Sequence, residues 1–132
     1  MDLEILNIAS DTDNYKNIKN HTHFFKLKNS LCGDEILIKL IIKNKKIIDF
    51  GYQGNSCVYC QASASLLSKI SINNKKNKLN ELCDDAKSYF DGNFEIIEKK
   101  WLSLKRLFKK KNLNKKECIL LPFKTLKKIV SV

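Results

Sequence analysis

Apolar residues occupy every second position from 36 to 42, opposite a mixed face that includes Lys39, and apolar runs flank this stretch at residues 24–28 and 46–52. In the central run, one face is entirely apolar and consists of Ile36, Ile38, Leu40 and Ile42. A period of two is typical of a strand with one buried face, and Ile and aromatic residues favour strands. Asn44 and Lys45 stand between two of these runs like a hairpin turn. The pattern therefore predicts an antiparallel meander of three strands.

After Gly54 the period of the apolar residues changes to that of helices. Residues 58–70 contain a run of small side chains that suits a helix packed closely on a sheet: Ala62, Ser63, Ala64 and Ser65. Further helices are predicted at residues 79–90, 94–108 and 119–130, after a polar loop at residues 71–78. The helix at residues 94–108 has an apolar stripe that we assign to the core: Phe94, Ile97, Trp101, Leu104 and Phe108. The predicted fold class is α+β, with a three-stranded antiparallel sheet packed with helices.

Two cysteines are predicted at helix N-termini. Cys57 directly precedes the helix at residues 58–70, and Cys118 lies at or just before the start of the last helix. Pro122 is compatible with that helix if it lies in the first turn, where the missing N–H would have no partner anyway. Because the partial positive charge of a helix N-terminus stabilises a thiolate, both positions predict a lowered thiol pKa.

The composition is that of one globular domain covering residues 1–132. With 132 residues and 43% apolar side chains, the chain is long enough for one substantial core and too short for two. No apolar run approaches the length of a membrane span, and the acidic start Met1-Asp2-Leu3-Glu4 is unlike a secretory signal. We therefore expect a cytoplasmic protein whose five cysteines stay reduced, which favours metal or redox chemistry over disulfides.

The formal net charge of +11 raises the question of nucleic-acid binding. All but one of the 25 basic residues are Lys. Arginine, whose forked guanidinium commonly binds bases and phosphates, occurs only at Arg106. We therefore favour a solvated lysine surface and keep a lysine-rich nucleic-acid-binding module as a distant alternative.

Cys32, Cys57 and Cys118 are separated by twenty-four and sixty residues, so the chain must fold before their thiols can meet. Asp34 follows Cys32 by two positions and would point to the same side of an extended segment. Three thiolates and one carboxylate suit a tetrahedral zinc ion or part of an iron-sulfur cluster, and the carboxylate is the weaker partner of a soft metal. Alternatively, Asp34 is a turn residue after Gly33.

The remaining cysteines and the histidines each have two interpretations. The segment Cys57-Val58-Tyr59-Cys60 has the spacing of a redox pair, and Cys60 could also hold sulfur, but we favour a small buried residue at Cys60. Cys83 is predicted to be structural. His21 and His23 share one side of an extended segment and could bind zinc, but we favour two exposed loop histidines.

Several segments, in chain order, resemble the U-type iron-sulfur cluster scaffold family, which comprises IscU, SufU and the N-terminal domain of NifU. Residues 14–20, Asn-Tyr-Lys-Asn-Ile-Lys-Asn, are similar to the family's H-Y-x-N-P-R-N, and Cys32-Gly33-Asp34 matches as it stands. Gly54, Cys57 and the small residues 62–65 are similar to G-x-G-C-x-x-x-x-A-S-A-S.

The resemblance implies that Cys32, Asp34, Cys57 and Cys118 bind a metal or a nascent cluster, on the α+β fold of IscU. It also implies a scaffold, not an enzyme, that receives persulfide sulfur from a cysteine desulfurase and passes clusters to apo-proteins. Cys32 or Cys118 is compatible with accepting the persulfide. The first hypothesis is therefore a scaffold that holds an iron-sulfur cluster transiently.

Departures from the IscU pattern support an alternative. Glu117 stands where IscU proteins usually carry His, and the sixty-residue gap before Cys118 resembles the SufU subgroup. The segment Leu121-Pro122-Phe123-Lys124 looks like the chaperone-binding L-P-P-V-K but follows the cysteine, so a dedicated Hsp70 partner is not expected. The alternative is a zinc-dependent sulfur-transfer protein that activates the desulfurase through the same ligands.

Overall fold

The structure, a computed structural model, describes residues 2–131. The strands are β1 (His23–Lys28), β2 (Glu35–Lys43) and β3 (Lys46–Asn55). The α-helices are α1 (Leu3–Ala9), α2 (Val58–Ser71), α3 (Lys76–Phe90), α4 (Ile96–Lys100) and α5 (Lys116–Val130). Short 3₁₀ segments at Leu102–Leu104 and Lys110–Lys115 lie between α4 and α5. The predicted α+β class is confirmed.

The sheet has the order β1-β2-β3, and both pairs of strands are antiparallel. Asn44 and Lys45 form the turn between β2 and β3 with positive φ angles of 52° and 62°, as a tight hairpin requires. Ile36, Ile38 and Leu40 are at most 2% exposed, so the apolar face of β2 is the side of the sheet that is buried in the core. The meander and its buried face therefore form as predicted.

The N-terminal segment covers the free edge of β3, a feature that the sequence pattern did not predict. The backbone N–H of Lys16 donates to the carbonyl of Tyr52, and the N–H of Tyr52 donates to the carbonyl of Asn14. Asn14 also donates from its side chain to the hydroxyl of Ser68 on α2, at 2.9 Å. The segment that resembles the family motif thus joins the sheet to the helical layer.

The small side chains of α2 allow close packing and also supply hydrogen bonds. Ser63 is fully buried and donates from Oγ to the carbonyl of Ile119 on α5 at 2.6 Å. Ser65 donates from Oγ to the carbonyl of Asp11 at 2.9 Å. Because a buried hydroxyl without a partner is costly, these bonds specify which segments may lie against α2.

The predicted helix at residues 94–108 is wrong. The chain leaves the helical conformation at Trp101, where φ is −135° and ψ is 57°. The indole N–H of Trp101 donates to Asp85 on α3 at 2.7 Å, and Lys100 forms an ion pair with the same carboxylate at 2.9 Å. These contacts with α3 replace a regular helix, although the apolar stripe still enters the core as predicted, with only Phe94 partly exposed.

The last helix begins earlier than predicted, at Lys116. Pro122 consequently lies in the second turn, not the first, so the helix lacks the N–H that would bond to the carbonyl of Cys118. Cys118 is the third residue of α5 instead of a residue at or before its start. Helix α3 also begins earlier, at Lys76, inside the segment predicted as a polar loop.

Candidate metal centre

A closed turn between β1 and β2 presents Cys32 and Asp34. The backbone N–H of Asn29 donates to the carbonyl of Asp34 at 2.7 Å, and the N–H of Gly33 donates back to the carbonyl of Asn29 at 2.8 Å. Gly33 has a φ of +77°, a conformation that costs little for glycine and more for other residues. The two potential ligands therefore flank the one residue of the turn that lies in the left-handed region.

Cys57 is held at the end of β3. A Cβ atom on Gly54 would lie 2.2 Å from the carbonyl oxygen of Glu35, so the two strands approach this closely only because residue 54 is glycine. Cys57 is then the N-cap of α2, and its carbonyl accepts the N–H of Gln61 at 3.0 Å. The predicted position of Cys57 before its helix is confirmed.

Cys118 reaches the same place from the first turn of α5. The Ser63 hydrogen bond to the carbonyl of Ile119 ties this turn to α2. From the sequence, Ser63 was recognisable only as a small packing residue. Only its place in the run of small residues 62–65 marked Ser63 in the sequence. No sequence pattern indicated that it helps to position the turn that carries Cys118.

The structure brings together Cys32, Asp34 and Cys118, which we call the donor cluster. One potential ligand atom from each, the two Sγ atoms and a carboxylate oxygen, all lie within 4.8 Å of one another. Cys57 is not part of this group, although its thiol is close enough to Cys118 to act on the pKa of that residue. Three of the four residues proposed as ligands therefore converge directly, and the fourth lies at the edge.

The spacing of the donor cluster suits a single ion. Two Zn–S bonds of about 2.3 Å at a tetrahedral angle place the sulfur atoms about 3.8 Å apart. A separation of at most 4.8 Å is therefore close to what one tetrahedral ion requires, before any adjustment of side chains. A fourth ligand would complete the set, and Cys57 is the neighbouring thiol.

The donor cluster contains an unsatisfied carboxylate. Asp34 is 9% exposed, and its Oδ2 atom is buried without a hydrogen-bond partner among residues 2–131. A buried carboxylate oxygen without a partner is costly, and a bound cation would satisfy it. This observation agrees with a ligand role for Asp34 better than with a turn residue alone.

The pKa of the Cys118 thiol is raised, not lowered as its place near a helix N-terminus predicted. Burial has the largest effect, followed by the neighbouring Cys57 thiol and then by the charges of Cys57, Asp34 and Cys32. Burial and the crowding of groups that become anionic together outweigh the helix dipole, whose effect is about 0.3–1 kcal/mol. A bound cation would reverse this balance and favour the thiolate.

Other candidate residues lie outside the donor cluster. Cys60 is fully buried, and burial raises its pKa to about 12, with smaller effects from Ser56, Cys57 and the cluster. Cys83 is also buried, which agrees with its predicted structural role. The Nδ1 atom of His21 donates to the carbonyl of Ile18, and His23 contacts the hydroxyl of Thr22, so neither histidine joins the donor cluster.

The model of the NifU-like N-terminal domain family matches residues 4–85, which include Cys32, Asp34 and Cys57. This chain belongs to the NifU-like N-terminal domain family. The family comprises iron-sulfur cluster assembly scaffolds of the IscU, SufU and NifU types, as the resemblance of the motifs implied.

Relatives support this assignment. The chain is 34% identical over 101 residues to the iron-sulfur cluster assembly scaffold protein IscU of Thermotoga maritima, covering 76% of this chain and 70% of IscU. It shares its fold with a protein assigned as an iron-sulfur cluster scaffold of the SUF system in Fervidobacterium islandicum. The TM-score is 0.86 at 22% identity, covering 98% and 96% of the two chains. A NifU-like N-terminal protein of Brucella abortus aligns with a TM-score of 0.74 at 15% identity, covering 98% and 91%.

Two further properties concern the surface and the helices of this scaffold-family member. Lysines form ion pairs on several elements, for example Lys16 with Asp49 and Lys127 with Asp84. Within residues 2–131, none of the helices combines the length and the apolar character that a membrane crossing requires.

Proposed function

We propose that this chain assembles iron-sulfur clusters on Cys32, Asp34, Cys57 and Cys118. Iron is the cargo of the site, and sulfur arrives as persulfide from a cysteine desulfurase. The finished cluster passes to apo-proteins, and the carboxylate of Asp34 is the ligand that a soft metal releases most readily. The chain would act as a scaffold and would catalyse no reaction of its own.

The observation that supports this proposal is the donor cluster with its unsatisfied oxygen. Two thiols and a carboxylate lie within 4.8 Å of one another, and Asp34 Oδ2 has no partner among the described residues. A purely structural cluster would pair such groups with hydrogen-bond donors. Ligands that await a cation explain why the buried carboxylate is left open.

Anaerobic reconstitution tests the proposal. The chain is incubated with ferrous iron, cysteine and a cysteine desulfurase, and visible absorption is recorded. We expect charge-transfer bands for the wild type and for Cys83→Ala, because Cys83 lies outside the donor cluster, and their loss in Cys118→Ala and Cys57→Ala. A colourless wild-type protein, or equal colour in all variants, would contradict cluster assembly on these residues.

The single-ion spacing of the donor cluster favours a second candidate, a zinc-dependent sulfur-transfer protein. In this alternative the thiolates of the site would hold a zinc ion, and one of these cysteines would take persulfide sulfur from the desulfurase. Native mass spectrometry of protein purified without added metal should then show one zinc ion per chain, and the zinc-loaded protein should stimulate desulfurase turnover. Unchanged turnover would exclude this candidate.

A further inference from the structure

Cys57 and Cys60 occupy two defined positions at the start of α2. Cys57 is the N-cap, and Cys60 is the third residue of the helix. Helix geometry places Cα atoms three residues apart at about 5 Å, which is within the range of about 4.4–6.8 Å that a disulfide spans. A Cys-x-x-Cys segment at a helix N-terminus is also the arrangement of thiol-disulfide oxidoreductases.

The two thiols differ in exposure in a way that suits a redox pair. Cys57 is partly exposed, whereas Cys60 is fully buried. Cys60 lies about one helical turn after Cys57 in α2, so it is close to the thiol on which the sulfur would arrive. The donor cluster uses Cys32 and Cys118 and leaves Cys60 without a ligand role.

We infer that Cys60 is a resolving thiol that releases persulfide sulfur from Cys57 as sulfide. This inference rests on the proposed function, because the desulfurase supplies the persulfide. The Cys60 sulfur attacks Sγ of Cys57, forming the Cys57–Cys60 disulfide. The S–S bond of the persulfide breaks, and its terminal sulfur leaves with the electron pair and the Cys60 proton as hydrogen sulfide.

The electrons in this step balance within the chain. The terminal sulfur is reduced by two electrons, and the two cysteine side chains are oxidised to a disulfide. An external dithiol reductant then restores both thiols by thiol-disulfide exchange. The consequence for cluster assembly is that sulfide is formed next to the donor cluster, because Cys57 neighbours Cys118.

A first experiment needs no desulfurase and no variant. The full chain is oxidised with glutathione disulfide, alkylated and digested with trypsin. Residues 47–69 contain no internal Lys or Arg, so Cys57 and Cys60 stay on one peptide, whereas Cys118 lies on residues 117–124. We expect peptide 47–69 to lose two hydrogens and to resist alkylation. A cross-link between the two peptides, or two free thiols on peptide 47–69, would overturn the inference.

A second experiment follows sulfur. Wild type, Cys60→Ser and the matched control Cys83→Ser are incubated anaerobically with a desulfurase and stoichiometric cysteine, without reductant. For the wild type and for Cys83→Ser, we expect one sulfide released per chain and a disulfide on peptide 47–69. For Cys60→Ser, we expect sulfide release to fall to background while that peptide retains an additional sulfur atom. Equal sulfide release from all three proteins would overturn the inference.

The two experiments separate this inference from the proposed function. If no peptide of any variant gains sulfur or a disulfide in the second experiment, sulfur acceptance from the desulfurase is wrong. The first experiment still decides on wild-type protein whether Cys57 and Cys60 form the redox pair.

Discussion

Helix α5 contributes to two cysteine sites that differ in almost every physical property. Its first turn carries Cys118 into the donor cluster, which is open enough for Cys32 to be exposed. Its later turns pack near Cys83 of α3, and Cys83 shares a small cavity with Leu120 and Phe123. The donor cluster combines two thiols and a carboxylate from the turn after β1 and the start of α5. Cys83, in contrast, is a single thiol between two packed helices.

The difference shows what a cysteine needs in order to be available for metal chemistry. At the donor cluster, thiols and a carboxylate crowd together, and one carboxylate oxygen has no partner among the described residues. The thiol of Cys83 is buried in the hydrophobic core, where it behaves as a small hydrophobic residue and needs no polar partner. A buried polar atom without a hydrogen-bond partner, and not burial as such, distinguishes the candidate metal centre from the surroundings of Cys83.

The largest expected effect separates packing from metal binding. Phe123 is 1% exposed, so Phe123→Ala should lower the free energy of unfolding by about 3–5 kcal/mol. The affinity of the folded protein for zinc should change only a few-fold, because Phe123 lies outside the donor cluster. Urea denaturation and chelator competition measure the two quantities. A loss of zinc binding in the fully folded variant would show that the packing around Phe123 and the donor cluster are coupled through α5.

Cys118→Ala should have the opposite profile. Loss of a metal ligand should weaken zinc binding by at least about 100-fold, more than the loss of an outer contact usually does. The stability of the metal-free protein should change by less than about 1 kcal/mol, since the thiol is only half-buried. Cys83→Ala is the matched control and should keep the zinc affinity of the wild type. Equal affinities in the two variants would remove Cys118 from the ligand set.

Alkaline pH should destabilise the protein through the buried thiol of Cys83. Burial raises the pKa of Cys83 from 9.0 to about 12, with smaller effects from Lys127 and Asp84. Between these pH values the unfolded chain loses the proton and the folded chain keeps it. The protonated Cys83 thiol therefore makes its full contribution to the free energy of unfolding below pH 9.0. This contribution is lost as pH rises toward 12, by up to about 1.4 kcal/mol per pH unit.

The measurement is the free energy of unfolding in urea at several pH values above 9 for wild type and Cys83→Ala. The variant should lose stability less steeply, because alanine has no proton to lose. Parallel curves for the two proteins would mean that the Cys83 thiol ionises alike in both states.

The smallest expected effect concerns the turn that carries two potential ligands. Gly33 has a φ of +77°, and a Cβ atom there would meet no heavy atom within 4 Å. Gly33→Ala should therefore cost only the backbone strain of about 1–2 kcal/mol. We expect a similar loss in zinc affinity at most, measured by chelator competition. A complete loss of binding would show that the turn has to move when the metal binds.

Local patterns were sufficient where each residue's environment follows from its neighbours in sequence. The apolar residues at every second position of residues 36–42 correctly predicted the buried face of β2, and Asn44-Lys45 correctly predicted the turn. The long helix at residues 94–108 failed because Trp101 bonds to Asp85 on α3, and a contact between distant segments has no periodic signal.

The candidate site shows the same division. The local motifs were enough to select Cys32, Asp34, Cys57 and Cys118 as ligands, and this assignment stays a prediction. Neither the unsatisfied oxygen of Asp34 nor the raised pKa of Cys118 could be foreseen, because both depend on groups that are distant in sequence. The position of Cys57 at the edge of the donor cluster is likewise a property of the folded chain.

The meander, the helix that starts after Cys57 and the choice of residues with metal-binding chemistry all followed from the amino-acid sequence. These features depend on side-chain period, turn preference and donor type, which are local. Packing between distant segments established that Cys118 reaches Cys32 and Asp34 and that Cys57 lies at the edge of this group. Distances between distant residues depend on packing, such as the buried bond from Ser63 to Ile119, which forms only when α2 and α5 meet.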